Sequence, residues 1–172
     1  MKMGFGKSFG FSLLTYIGLN FLFLIIAETI SGDLNNIFTV ISADPFIIIL
    51  ILFGPITNTP GIVFNGIIIE VMGPLRPDVL IEFVGYIVSP FIAAIVAGRV
   101  GEKKGASFGG FLLTTVLSAL AVSALVFLSP SSLMAYTLPT NMTTIVFASI
   151  GGITNGVFYG AFALLFTKTE MY

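Results

Sequence analysis

Apolar residues run along the chain in long blocks and do not alternate with polar ones at the period of a half-buried helix or strand. Residues 9–30 (FGFSLLTYIGLNFLFLIIAETI), 79–98, 107–129 and 144–167 each approach or exceed the roughly 20 apolar residues that carry a helix across a bilayer. Short loops such as GRVGEKKGA connect them. The first block follows Lys2 and Lys7 but is longer than a signal-peptide core of about 7–15 residues, and no small-x-small cleavage site follows it. It is read as a retained helix.

Residues 37–73 break this regularity. Gly54-Pro55 and Pro60-Gly61 bracket the polar run Ile56-Thr57-Asn58-Thr59. Each proline removes a backbone donor and disfavours the helical conformation of the residue before it, so the chain must break or turn between 54 and 61. From 61 to 73 a helix rises only about 20 Å, short of a hydrocarbon core of about 30 Å. Two arrangements are therefore open: two short spans joined at the TNTPG turn, or two half-helices forming a re-entrant hairpin.

Basic residues favour a path that goes in and returns. With the N-terminus inside, that path places Lys2, Lys7, Arg99, Lys103, Lys104 and Lys168 on the cytoplasmic side and leaves Arg76 alone outside, a ratio of six to one. A single crossing of 37–73 divides the same residues three to four. The expected fold is thus an all-α, polytopic membrane bundle of six helical segments in a single domain over 1–172, with both termini cytoplasmic and the second and third segments joined at TNTPG. Four spans plus a re-entrant hairpin have the same sidedness. Glu28, Asp33, Asp44, Glu70, Asp78 and Glu82 fall on or near the outer face, and Glu102 and Glu170 inside.

Composition agrees: 56% of the 172 residues are hydrophobic and 9% charged, against about 25% charged in a soluble domain. A soluble enzyme and a nucleic-acid binder are set aside on that ground. The chain has no cysteine and no histidine, which removes the usual ligands of haem, iron–sulfur and structural zinc and the Ser-His and Cys-His mechanisms. No cofactor is expected.

Polar residues within the blocks lie in stripes. Glu82, Gly85, Tyr86 and Ser89 share one helical face; Ser12, Tyr16 and Asn20 recur at spacing four; Asn155 and Tyr159 do the same near the C-terminus. Such stripes turn away from lipid, either to bond neighbouring helices or to line a cavity. Small residues form ridges at the same spacing, Ala148, Gly152, Gly156 and Gly160 in the last block and Ala93, Ala97, Gly101 and Gly105 in an earlier one. These ridges admit a neighbouring backbone, from this chain or another.

Two further motifs carry little. Gly6-Lys7-Ser8 lacks the preceding glycine of a phosphate-binding loop, since that position is Met1. Asn141-Met142-Thr143 has the form of a glycosylation sequon, but it abuts the next helix and is not expected to be used.

Phe53-Gly54-Pro55, Gly61, Gly66 and Glu70, followed by Ser89-Pro90 to Gly98, resemble the glycine-punctuated helices of the S-components of energy-coupling-factor transporters over about a third of the sequence. The resemblance implies a six-helix membrane subunit that binds a solute and docks onto coupling and ATPase subunits. The first helix offers Gly10, Gly18 and Ala27 where that family carries an Ala-x-x-x-Ala docking ridge.

These features point to a transport component of the cytoplasmic membrane that is not an enzyme. It would hold a small solute in an outward-facing pocket lined by Asn58, Asn65, Glu70, Glu82, Tyr86, Ser89, Asn155 and Tyr159. The acids favour a cationic or polyol ligand. With no nucleotide-binding motif, uptake would need ATPase partners or an ion gradient. The alternative is a non-catalytic accessory subunit of a larger membrane complex or homo-oligomer, in which stripes and ridges serve only packing. Acid–base chemistry by Glu70 and Glu82 is a third reading, which requires the two to converge.

Overall fold

The computed structural model describes residues 3–168, and every regular element among them is helical. In chain order these are α1 (Met3–Ser31), α2 (Leu34–Ala43), α3 (Ile47–Phe53), a 3-10 turn (Gly54–Thr57), α4 (Pro60–Met72), α5 (Pro77–Val100), α6 (Lys104–Leu128), α7 (Pro130–Ala135) and α8 (Met142–Phe166). Four helices, Gly4–Ser31, Pro77–Val100, Lys104–Leu128 and Met142–Phe166, are long and apolar enough to cross a membrane. Their outer faces expose Phe11, Leu14, Leu120, Phe127, Phe147 and Leu165, the surface that lipid contact requires.

The four long helices form the bundle. α1 packs along α5 and α6, and α8 packs along α6 and α5. The shared core holds Tyr16, Ile56, Phe111, Val122, Leu125 and Tyr159, together with Ala93, Ala97, Ala148 and Ala163. The α8 ridge finds its partner within this chain. A Cβ on Gly152 would lie 2.7 Å from Ala119 Cβ, and one on Gly156 would lie 2.6 Å from Leu112 Cδ1, so both glycines seat α8 directly on α6. The other ridge is shorter than its spacing suggests: Ala93 and Ala97 are fully buried, whereas Gly105 has nothing within 4 Å of a built Cβ.

The polar stripe of α1 faces inward as its spacing predicts. Ser8 Oγ donates to the Ala97 carbonyl at 3.1 Å, Ser12 pairs with Thr114 at 2.7 Å, and Asn20 Nδ2 donates to the Leu52 carbonyl at 2.8 Å.

Two elements depart from the sequence reading. The segment entering the 37–73 region is broken a first time at Asp44, whose extended backbone (φ −138°, ψ 93°) is what a residue before Pro45 must adopt. α2 is consequently a separate helix that packs Ile37 against α3 in a small cluster with Ile47 and Ile51. The stretch after α6, a connection between two apolar blocks in the sequence, contains α7, where Pro130 sits at the first helical position and Leu133 is fully buried.

The described charges separate by end. Glu28, Asp33, Asp44, Glu70, Arg76, Asp78 and Glu82 belong to the segments where α1 ends and α5 begins. Lys7, Arg99, Glu102, Lys103, Lys104 and Lys168 belong to the opposite end, where Lys7 meets Glu102 at 3.8 Å. Lys2 and Glu170 lie outside the described residues.

Candidate functional site

The chain turns by 97° between Ile47–Thr57 and Pro60–Met72. Gly54-Pro55 cannot continue α3, because Pro55 has no N–H, and the chain tightens into the 3-10 turn. Pro60 then opens α4 at its first position, preceded by Thr59 in extended conformation (φ −70°, ψ 155°). Carbonyls left without helical partners need other donors. Asn155, midway along α8, donates from Nδ2 to the Ile56 carbonyl at 3.0 Å and to the Asn58 carbonyl at 3.1 Å. Asn20, on α1, serves Leu52 from the other side.

These contacts put the break at half-height of the bundle. Asn155 is well inside α8, far from both of its ends. Close approach makes the position obligatory for small residues. A Cβ on Gly151 would stand 3.0 Å from Thr57 Cα, against the turn.

Above the break lies a cavity of ≈ 470 Å³. Its floor is Asn20, Gly54, Pro55, Thr57 and Asn58; its walls are Phe23, Leu24 and Glu28 from α1, Leu50 and Ile51 from α3, and Glu82, Gly85 and Tyr86 from α5. Tyr136 and Leu138 reach over it from the segment after α7. That segment reverses at Thr137, in the left-handed region at φ 55°, with Thr137 N–H bonded to the Met134 carbonyl and Leu138 N–H to the Leu133 carbonyl. This is the geometry of a Schellman turn, with a threonine where glycine is usual.

The α5 wall follows from its stripe. Gly85 brings α5 against Phe23, with a built Cβ only 2.6 Å from Phe23 Cβ, and Tyr86 and Glu82 flank it on the same face, with Tyr86 Oη 3.5 Å from Glu82 Oε2. Partial enclosure raises the pKa of the Tyr136 phenol, and the charges of Glu82 and Glu28 raise it further, so its hydroxyl stays protonated beside these carboxylates.

Of the eight expected pocket residues, Asn58, Glu82 and Tyr86 line the cavity. Asn155 acts beneath it by holding the turn. Ser89 and Tyr159 are buried in the bundle without lining it, and Ser89 Oγ has no hydrogen-bond partner among the described residues. Asn65 is exposed on α4, because that helix turns its polar position away from the bundle. Glu70 is bound to Arg76, which donates from Nε to Oε2 at 3.2 Å and from Nη2 to Oε1, and it takes no part in the cavity. Glu70 and Glu82 therefore do not converge on one site as acid–base chemistry would need.

Sequence reasoning missed Glu28, Tyr136 and the cavity role of Asn20. Asn20 was visible as part of the α1 stripe, and Glu28 continues that face two turns later. Tyr136 had no signal, because only the turn at Thr137 brings it over the cavity.

At the same end, Asp44 ties the α2–α3 junction to the start of α7. Its Oδ2 accepts from Ser132 at 2.6 Å, Ser129 at 3.2 Å and Ser131 at 3.3 Å, and its Oδ1 from the Phe46 N–H at 3.1 Å. These donors, Ser132 foremost, hold the carboxyl below its ordinary pKa.

Comparison with family models, with curated proteins and with solved structures finds no match. The functional reading rests on the geometry.

Proposed function

We propose that this chain is the solute-binding component of a membrane transport system, taking a small molecule into the cavity above the broken helix from the outer side of the cytoplasmic membrane. The observation that carries the reading is the break itself: an interruption of the α-helix, tightened into a 3-10 turn and held at half-height by Asn155 and Asn20, opening into ≈ 470 Å³ lined by polar and aromatic groups. Irregular backbone at such depth is tolerated where it lines a cavity, and broken helices commonly build transporter sites. The volume falls within the range of small-molecule sites, about 300–1,000 Å³.

The excess of described basic residues at the end opposite the cavity supports an outward-facing mouth with both termini cytoplasmic. The re-entrant arrangement, four spans plus the α3–α4 hairpin, is the topology proposed. The resemblance to S-components belongs to the same reading: Gly54 and Pro55 form the cavity floor, and Gly66 lets α4 approach Phe83 of α5, a built Cβ lying 2.6 Å from that ring. No catalysis is proposed. Energy would come from ATPase and coupling subunits or from an ion gradient.

A second reading, a non-catalytic accessory subunit, is favoured by α4, which leaves Ile62, Phe64, Ile68 and Ile69 exposed and rests chiefly on α5. Purification of the tagged protein from its native membranes in mild detergent separates the two. Mass spectrometry of co-purifying proteins and of extracted small molecules is expected to find a bound solute with ATPase subunits or an autonomous carrier. A large assembly in which the cavity holds no solute would replace the first reading by the second.

A further inference from the structure

The chemistry of the cavity narrows its ligand. Glu28 and Glu82 stand on adjacent helices in the same wall system, and among the described residues no lysine or arginine lines the cavity. Arg76, the described base at that end, is committed to Glu70 through both Nε and Nη2. Glu28 and Glu82 therefore face the cavity without a basic partner among the described residues, which favours a cation between them over an anion.

The floor is matched to a donor. Asn20 is only 5% exposed and spends its Nδ2 on Leu52, and its Oδ1, near the equally unpaired Tyr16 hydroxyl one turn earlier on α1, has no hydrogen-bond donor among the described residues although Asn20 lines the cavity. A buried acceptor without a donor is destabilising, and a ligand that supplies one removes the deficit. Between floor and carboxylates, Phe23, Tyr86 and Tyr136 present aromatic rings, whose faces attract cations.

Resting on the solute-pocket reading, we propose that the ligand is a small organic cation, an ammonium group attached to a body carrying a hydrogen-bond donor. The ammonium lies among Glu28, Glu82 and the aromatic rings, and the donor meets Asn20 Oδ1. A divalent metal fits less well, since no third histidine, cysteine, aspartate or glutamate joins these carboxylates among the described residues. An anion would face two negative charges with no compensating base among the described residues. A neutral polyol would satisfy Asn20 but leave both carboxylates uncompensated.

The test is equilibrium dialysis of the full chain in detergent against choline, phenethylammonium and benzyltrimethylammonium. The controls are 3,3-dimethylbutan-1-ol (the uncharged isostere of choline), myo-inositol and benzoate. At least one cation is expected to bind, the uncharged isostere at least about tenfold more weakly, and Glu28→Gln and Glu82→Gln each to weaken cation binding by about tenfold or more. Helicity and apparent Tm are followed for each variant, so that loss of binding is read only on folded protein. Asn20→Ser, which keeps a shorter oxygen on α1, is expected to weaken choline, whose hydroxyl is a donor, more than benzyltrimethylammonium, which has none. Equal binding of choline and its uncharged isostere overturns the inference, as does insensitivity to both glutamate substitutions, or failure of every cation up to about 10 mM. Binding of inositol or benzoate in that last case would retain the solute pocket and discard only the cation. Absence of any bound or extracted small molecule would discard both.

Discussion

The side-chain amide of Asn155 donates to the carbonyls of both Ile56 and Asn58, at 3.0 and 3.1 Å, from the middle of α8. One side chain thereby satisfies two carbonyls of a stretch that Pro55 and Pro60 prevent from continuing as α-helix. Asn155→Leu keeps the branched four-atom skeleton of the side chain and removes the donor. It is expected to destabilise the bundle by about 1–3 kcal/mol, the cost of leaving buried acceptors unpaired. Circular dichroism in detergent should show a lower apparent Tm, and an unchanged melting curve would mean that the turn does not depend on Asn155.

Glycine positions should differ sharply in tolerance. A Cβ at Gly156 meets Leu112 Cδ1 at 2.6 Å and Thr115 Oγ1 at 2.5 Å, whereas one at Gly18 has nothing within 4 Å. Gly156→Leu is expected to cost about 1–3 kcal/mol or more by overpacking, and Gly18→Leu to be near neutral on a lipid-facing surface. Thermal melts of the two variants, run side by side, decide the point; equal losses would show that α8 does not seat on α6 in this way.

The absence of cysteine makes the topology directly accessible. Single cysteines at Asp33, Asn58 and Lys104 can be challenged on intact cells with a membrane-impermeant maleimide. Positions 33 and 58 are expected to react, the second through the cavity, and 104 to remain protected until the membrane is opened. If 58 is instead protected together with 104, the TNTPG turn is cytoplasmic and two full spans replace the re-entrant hairpin.

Asp44 makes a pH-dependent contribution of known sign. Its folded pKa lies below the ordinary value of 3.8, so its stabilisation is present above that value and disappears as pH falls through the lower folded pKa. Asp44→Asn should lower the apparent Tm at neutral pH, and the difference from the native protein should shrink as pH falls from about 7 to below about 3. A difference that persists undiminished in acid would show that shape, not charge, anchors the α2–α3 junction to Ser129, Ser131 and Ser132.

Much of the bundle is legible in the amino-acid sequence. The stripe Ser12, Tyr16 and Asn20 reads as inward-facing because lipid cannot satisfy polar groups, and all three are buried. The ridge Gly152, Gly156 and Gly160 reads as a packing surface because only small residues let two backbones approach closely. The break after Phe53 follows from the chemistry of proline. Periodicity, solvent preference and backbone geometry are local properties, and they survive in one dimension.

Depth, partner and convergence are not local. The residues around Pro55 required a break, but the contact with Asn155, 99 positions beyond Ile56, put it at half-height. The spacing of Glu70 and Glu82 left their meeting open; the turn before Pro77 gives Glu70 to Arg76, while α5 carries Glu82 to a cavity shared with Glu28. Nothing near Tyr136 marks it as a cavity residue until Thr137 reverses the chain. The sequence alone determined which residues avoid lipid and where the helices must stop. Only the tertiary structure decided which buried groups face one another, because that depends on how distant helices are set against each other in space.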